Sequence, residues 1–256
     1  MTKQRTRRRL SDSFLLEFNR LNPILFSDPN FILCKIGKKE HLEQLQRGII
    51  YARPLGAFCD PYDSEMSHQQ VDIFEGCIHV ADEADIVVQG VLVGKAYGLK
   101  EQIGQKTPVF CCMLPRLSQV DLDEWRVYFD SRLFKDFVHG EMCNYGVLLI
   151  DGIKFKERLE CLGIECYGKR ISYTDKPFDR TRSNLVEAIF RKRLSFAYQQ
   201  EFRVVFYKES KEKGEVLKQN VGSLRDFSRL FPISIVRSPL IVKKSLLSER
   251  KLNFPS

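Results

Sequence analysis

Three polar segments carry residue types at spacings that could do chemistry. The first is Tyr198-Gln-Gln-Glu-Phe-Arg203. Read as an extended strand, it puts Gln199, Glu201 and Arg203 on one face, with Phe202 and Val204 alternating around them. A glutamate between a glutamine and an arginine is oriented and ionised. It could hold a ribose hydroxyl or face a developing cation. The same pattern also serves as a cross-strand ion pair on the outer face of a sheet. The second segment is the loop Ala57-Phe-Cys-Asp-Pro-Tyr-Asp-Ser-Glu65, which gathers Asp60, Asp63 and Glu65. Three carboxylates this close repel, so at least one needs a cation, a metal or a hydrogen-bond donor. With Glu201 they would suit a metal-dependent nuclease; as a solvated Asx turn they would do no chemistry. The third is Asp123-Glu-Trp-Arg-Val-Tyr-Phe-Asp130. As a helix it would stack Trp125 and Tyr128 on one face and pair Arg126 with Asp130. Such rings either anchor a core or wall a planar ligand.

Cysteine and histidine add little. None of the eight cysteines forms a C-x-x-C pair, and the four histidines are not spaced for joint ligation. No structural metal is expected. Cysteines inside apolar runs, such as Val109-Phe-Cys-Cys-Met113, read as small core residues of a chain kept in a reducing, cytoplasmic setting. Cys59, beside charged residues, is the one candidate reactive thiol.

The net charge of +8 is unevenly placed. Residues 1–10 carry Lys3, Arg5, Arg7, Arg8 and Arg9 without an acid, and residues 237–256 carry five basic residues against Glu249. The 226 residues between hold 31 basic and 32 acidic groups. The body is therefore neutral, and the excess belongs to a basic, disordered arm and a basic tail. Such ends either keep a protein soluble or bind phosphates. The arm lacks the apolar stretch of a secretory signal, and no apolar run is long enough to span a bilayer.

The elements that must position these groups alternate irregularly. Periodicity predicts a helix over Leu10–Leu21 and another over Glu40–Arg47, ended by Gly48. Strands are expected at Phe31–Ile36, Ile49–Arg53, Cys77–Val80, Asp85–Val93, Val109–Leu114 and Gly146–Ile150. Further strands are expected at Ile164–Tyr173 (interrupted at Gly168), Glu201–Tyr207, Ile233–Val236 and Leu240–Val242. Helices are expected at Asp123–Asp130, Phe155–Cys161 and Asn184–Leu194, with Ser223 capping a short one. Without regular βαβ alternation or a Gly-rich phosphate loop, the reading is a single α+β domain over residues 11–236. Its sheet would be mixed and mostly antiparallel, with flanking helices.

Taken in order, these segments resemble an uncharacterised bacterial domain family. Its pattern is a Lys-aromatic strand, a Gly-Ile/Leu strand, an Asn-Asp-Pro-Phe-Asp/Glu loop, a Trp-x-x-Tyr helix before a glycine-led strand, and a late Trp-x-Tyr-Glu-x-Glu-Tyr-Arg strand. The counterparts are Lys35, Gly48-Ile49-Ile50, Cys59-Asp60-Pro61-Tyr62-Asp63, Trp125-Arg-Val-Tyr128 with Tyr145-Gly146-Val147, and Phe196-Ala-Tyr-Gln-Gln-Glu-Phe-Arg203. Cys59, Phe196 and Gln199 depart from it. The family is often found among mobile and phage-defence genes, which implies a toxin-like effector and a partner protein. The late motif, Gln199-Gln200-Glu201, also resembles the Glu/Gln-x-Glu of ADP-ribosyltransferases, although no middle Ser-Thr-Ser motif is visible. That resemblance implies an ADP-ribosyltransferase-like fold, NAD as the donor and a macromolecular acceptor or water. It makes Glu201 and Gln199 catalytic. Lys35, Tyr51, Arg53, Asp60, Trp125, Tyr128 and Arg203 would hold the dinucleotide. The alternatives are the nuclease and a non-enzymatic module that binds protein or, through its basic ends, nucleic acid.

Overall fold

The computed structural model describes residues 32–59, 72, 75–102, 104–121, 124–138, 141–176, 186–207, 215–237 and 240–243. The basic arm, the expected Leu10–Leu21 helix and the loop residues Asp60, Asp63 and Glu65 lie outside the described residues.

The first elements are β1 (Ile32–Lys38), α1 (Lys39–Gln46), β2 (Ile49–Pro54) and a 3-10 helix (Leu55–Cys59). A hairpin of β3 (Cys77–Val88) and β4 (Val91–Gln102) leads to β5 (Pro108–Met113), β6 (Arg116–Asp121) and β7 (Glu124–Tyr128). Then come α2 (Arg132–Phe137), β8 (Tyr145–Asp151), α3 (Gly152–Cys161), β9 (Cys166–Arg170) and β10 (Ser172–Tyr173). The last part holds α4 (Val186–Ile189), β11 (Arg191–Lys192), a 3-10 helix (Leu194–Gln199) and β12 (Glu201–Phe206). It ends with β13 (Leu217–Asn220), β14 (Ser228–Pro232), a 3-10 helix (Ile233–Arg237) and β15 (Leu240–Lys243).

The main sheet runs β13-β2-β5-β1-β8-β14, with β12 on the other edge of β5 and β9 outside β12. All its pairs are antiparallel. β5 is the hub. One edge gives Pro108 and Val109 to β2 and Met113 to β1, so those two strands part there. The other edge pairs with β12 from Val109 to Met113. β5 and β8 are almost wholly buried and read as unbroken apolar runs, whereas β12 is buried although it carries Glu201 and Arg203. The architecture is the expected α+β domain with a mostly antiparallel sheet.

α1 and α3 cover one face. Leu42, Leu45, Phe155 and Leu159 pack there on Leu33, Phe110, Phe202 and Phe206. Gly48 ends α1 at φ 98° and lies against the 221–224 loop, where a Cβ would meet the Gly222 carbonyl oxygen at 1.9 Å. Asp151 caps α3, accepting from the Ile153 and Lys154 amides. The opposite face carries two apolar patches. One joins Cys34, Met113 and Val147 to Val127, Leu133 and Ile233. The other joins Val109 and Val205 to Tyr167, Ile189 and Phe190. No helix among the described residues is long and apolar enough to cross a membrane.

Several local expectations fail. The expected Asp123–Asp130 helix is strand β7, held between β6 and β15. Its rings recur at a helical spacing, but pairing on both edges decides the backbone. The helix at Asn184–Leu194 is only α4 at its described end. Arg191 and Lys192 leave it to pair with Ser172 and Tyr173. Ile233–Val236 is 3-10 rather than strand. The strand expected over Ile164–Tyr173 runs through Gly168, which pairs with Val204, and breaks instead at Ile171. Asp85–Val93 is not one strand but the end of a hairpin, turned at Gln89 and Gly90, both with positive φ.

Candidate functional site

The residues singled out in the sequence fall into four separate places. Lys35 lies on the helix-covered face. Its ammonium donates to the Cys111 carbonyl and sits 5.1 Å from the Phe110 ring centre. Glu201 and Arg203 share the opposite face of β12 with Val205, so Lys35 and Glu201 cannot line one cleft. Tyr51 is exposed on β2, with the Lys218 ammonium 5.4 Å from its ring centre. Arg53 follows on the same face of β2, opposite Val109. Gln199 is not on a strand with Glu201. It ends a 3-10 helix, and Gln200, at φ 44° and ψ 47°, turns the chain into β12. Asp60 is outside the described residues, and so is the Trp125 side chain.

Glu201 is the centre of a buried ion cluster. Arg203 is fully buried and donates from Nε and Nη2 to Glu201 Oε1, at 2.9 and 2.6 Å. It also donates to Glu75 and to the Ile189 carbonyl. Lys192 Nζ donates to Glu201 Oε2 at 3.2 Å and lies 3.9 Å from Glu75 Oε2. The Cys111 thiol also favours the ionised Glu201 carboxylate. Two cations thus balance two carboxylates out of water, the condition under which buried charge is tolerated. Burial pushes the Glu201 carboxyl up, but Arg203 and Lys192 outweigh it and hold it well below the usual carboxylate range. For Glu75 burial wins over the same two cations, and its carboxyl is raised. Asp72 adds a second tie, accepting from the Arg193 amide at 3.2 Å and from its Nε at 2.8 Å. Glu75, Lys192 and Asp72 were not singled out in the sequence. For Asp72 and Glu75 the only signal was an isolated charge among apolar residues, as in Ile73-Phe74-Glu75, and Lys192 was masked by the run Arg191-Lys192-Arg193.

Cys59 is not a reactive thiol. It is buried, donates to the Glu75 carbonyl at 3.1 Å, and is pushed up to about 12 by burial and then by Glu75.

A cleft of about 410 Å³ opens beside the cluster, between residues 113–115, 128–133 and 197–200. That volume lies in the small-molecule range. Tyr128, Phe129 and Tyr198 give it aromatic walls. Asp130 and Arg132 are paired on its rim, with Nε to Oδ1 at 2.9 Å and Nη2 to Oδ2 at 2.8 Å. The Arg132 guanidinium lies 4.2 Å from the Tyr198 ring centre. Gln199 lines the cleft at 4% exposure, and among the described residues its Nε2 has no hydrogen-bond partner. Gln200, in the same wall, holds a left-handed backbone that a non-glycine residue rarely adopts. Of the expected site residues, the structure brings Tyr128 and Gln199 together here. Glu201 stands one step away, paired across the sheet with Met113 of the cleft floor. Asp130, Arg132 and Tyr198 join them. Asp130 was read as the end of a helix paired with Arg126; it instead opens a turn, its Oδ1 accepting the Arg132 amide.

Among the described residues no group of three or more His, Cys, Asp or Glu is placed to hold a metal ion. Comparison with family models, with curated proteins and with solved structures found no significant match.

Proposed function

We propose that the chain binds NAD, nicotinamide end inward, in the cleft beside Gln199 and uses it as an ADP-ribosyl donor, by transfer or hydrolysis. The unpartnered Gln199 Nε2 carries the reading. A buried amide N–H without an acceptor is costly, and a carboxamide oxygen on a ligand would satisfy it. Tyr128, Phe129 and Tyr198 offer flat apolar surface to the ring. Arg132 adds a cation at the rim. The order Gln-x-Glu supports the donor class.

In this arrangement Glu201 is a positioning residue. Its ion pairs fix the start of β12 and hence the Gln199 side chain just before it. Asp130 lines the cleft, and we assign it as the carboxylate that faces the ribosyl carbon. As the ribosyl C–N bond breaks, its electron pair leaves with nicotinamide and positive charge develops on that carbon, which a fixed carboxylate stabilises. Water or an acceptor nucleophile then bonds to the carbon and gives up its proton.

Calorimetric titration with NAD and a nicotinamide-release assay test the reading together. Wild type should bind and release. Gln199→Leu should weaken binding about tenfold or more, the cost of one buried hydrogen bond. Asp130→Asn should keep binding and lose release. Wild type that neither binds NAD nor releases nicotinamide overturns the reading.

A further inference from the structure

A dinucleotide bound nicotinamide end inward carries its diphosphate toward the cleft mouth, where the two negative charges call for a cation. The structure removes the cations expected from the sequence. Lys35 lies on the helix-covered face of the sheet, away from the cleft. Arg203 is spent on Glu201 and Glu75 inside the buried cluster. Arg53 stands on β2, away from the cleft lining. Arg132 reaches the rim, but its fork is taken by both oxygens of Asp130.

Arg126 stands next to the aromatic wall instead. On β7, Arg126 and Tyr128 share one face, and Val127 between them is buried on the other. Tyr128 lines the cleft, and its hydroxyl accepts from Arg126 Nη1 at 3.4 Å. The half-buried guanidinium therefore lies at the hydroxyl end of Tyr128. A nicotinamide on the Tyr128 ring leaves one ribose to bridge to it. The hydroxyl is neutral, so this bond leaves the arginine charge in place. The register partners of Arg126, Ser118 on β6 and Ile241 on β15, are uncharged. Glu124, two residues back, is opposed by Asp121 and Lys243, whereas Tyr128 is opposed by Arg116. The carboxylate positions thus sit at the far end of β7, and the end beside the cleft carries the arginines.

We propose, resting on the NAD reading of the cleft, that Arg126 holds the phosphate next to the nicotinamide ribose through its guanidinium fork. Calorimetry on the full chain tests it with nicotinamide mononucleotide and nicotinamide riboside, which differ by that one phosphate, and with NAD. Wild type should bind the mononucleotide at least tenfold more tightly than the riboside, the worth of one charge-assisted hydrogen bond. Arg126→Met should erase that preference, weaken NAD by the same factor and leave the riboside unchanged. Arg126→Lys keeps the charge without the fork and should fall between; it is the second variant where the methionine chain does not fold. A folded Arg126→Met chain that keeps the wild-type preference overturns the proposal. So does one in which all three ligands weaken equally, the mark of a purely structural role. Wild type that binds mononucleotide and riboside equally overturns the role of Arg126 and leaves the NAD reading standing. Wild type that binds none of the three overturns both.

Discussion

Removing the Arg203 guanidinium tests whether Glu201 belongs to the scaffold. In Arg203→Met, Glu201 and Glu75 face Lys192 alone, and the Ile189 carbonyl loses its donor. Side-chain volume is nearly kept, so the loss is electrostatic. Breaking a buried ion pair by deleting one partner costs about 3–5 kcal/mol, because the other charge stays buried. Domains are ordinarily stable by about 5–15 kcal/mol, so about a fifth or more is at stake. For a chain of this size that corresponds to a melting temperature lower by about 6–20 °C. The assay is urea and thermal unfolding followed by circular dichroism. Arg203→Met with Glu75→Gln removes one charge of each sign and leaves Lys192 paired with Glu201. It should recover about 1–3 kcal/mol of the loss, the coupling expected of residues in one network. An Arg203→Met chain within about 1 kcal/mol of wild type would refute the reasoning, because uncompensated buried carboxylates cannot be that cheap. A double variant no more stable than the single would refute it too.

Other predictions follow from the same geometry. In a Glu75→Gln chain, the pH dependence should report Glu201. Its folded pKa lies below the unfolded value, so its stabilisation is complete above about pH 4.3 and is lost as pH falls. The urea midpoint should drop steadily on acidification; a flat profile contradicts the ion cluster. Glu75 has the opposite sign, since its raised pKa makes its ionisation cost stability as pH rises through it. Under native conditions at mildly alkaline pH, a thiol reagent should label the exposed Cys143 and Cys161 and spare Cys59 until urea unfolds the chain. Peptide mass spectrometry reads the order. Gly48→Ala should destabilise by more than the ~1–2 kcal/mol of a left-handed backbone alone, because the methyl meets the Gly222 carbonyl. Asp151→Ala, which removes only the cap of α3, should cost about 1 kcal/mol. Urea midpoints check both.

The sequence revealed most where burial is complete. β5 and β8 are apolar on both faces, and their runs were legible without knowledge of their neighbours. It misled where two periods coincide. Trp125 and Tyr128 sit three apart, which marks a helix face, yet edge pairing with β6 and β15 makes the segment a strand. Gln199 shows a second failure. Alternation through Gln199, Glu201 and Arg203 holds only if the backbone stays extended, and the left-handed turn at Gln200 breaks it. That turn separates the two halves of the motif, sending Gln199 to the cleft and Glu201 to the ion cluster. The partners of Glu201 were hidden for another reason. Glu75 and Arg203 are 128 positions apart, and only the folded sheet brings them together.

The most direct test of the central claim is a crystal structure of the chain grown with NAD. The nicotinamide is expected between the Tyr128 and Tyr198 walls, with its carboxamide oxygen within hydrogen-bond reach of Gln199 Nε2 and the Glu201–Arg203 pair intact. NAD bound elsewhere, such as beside Lys35 on the opposite face, would contradict it. So would Glu201 released from Arg203 to contact the ribose.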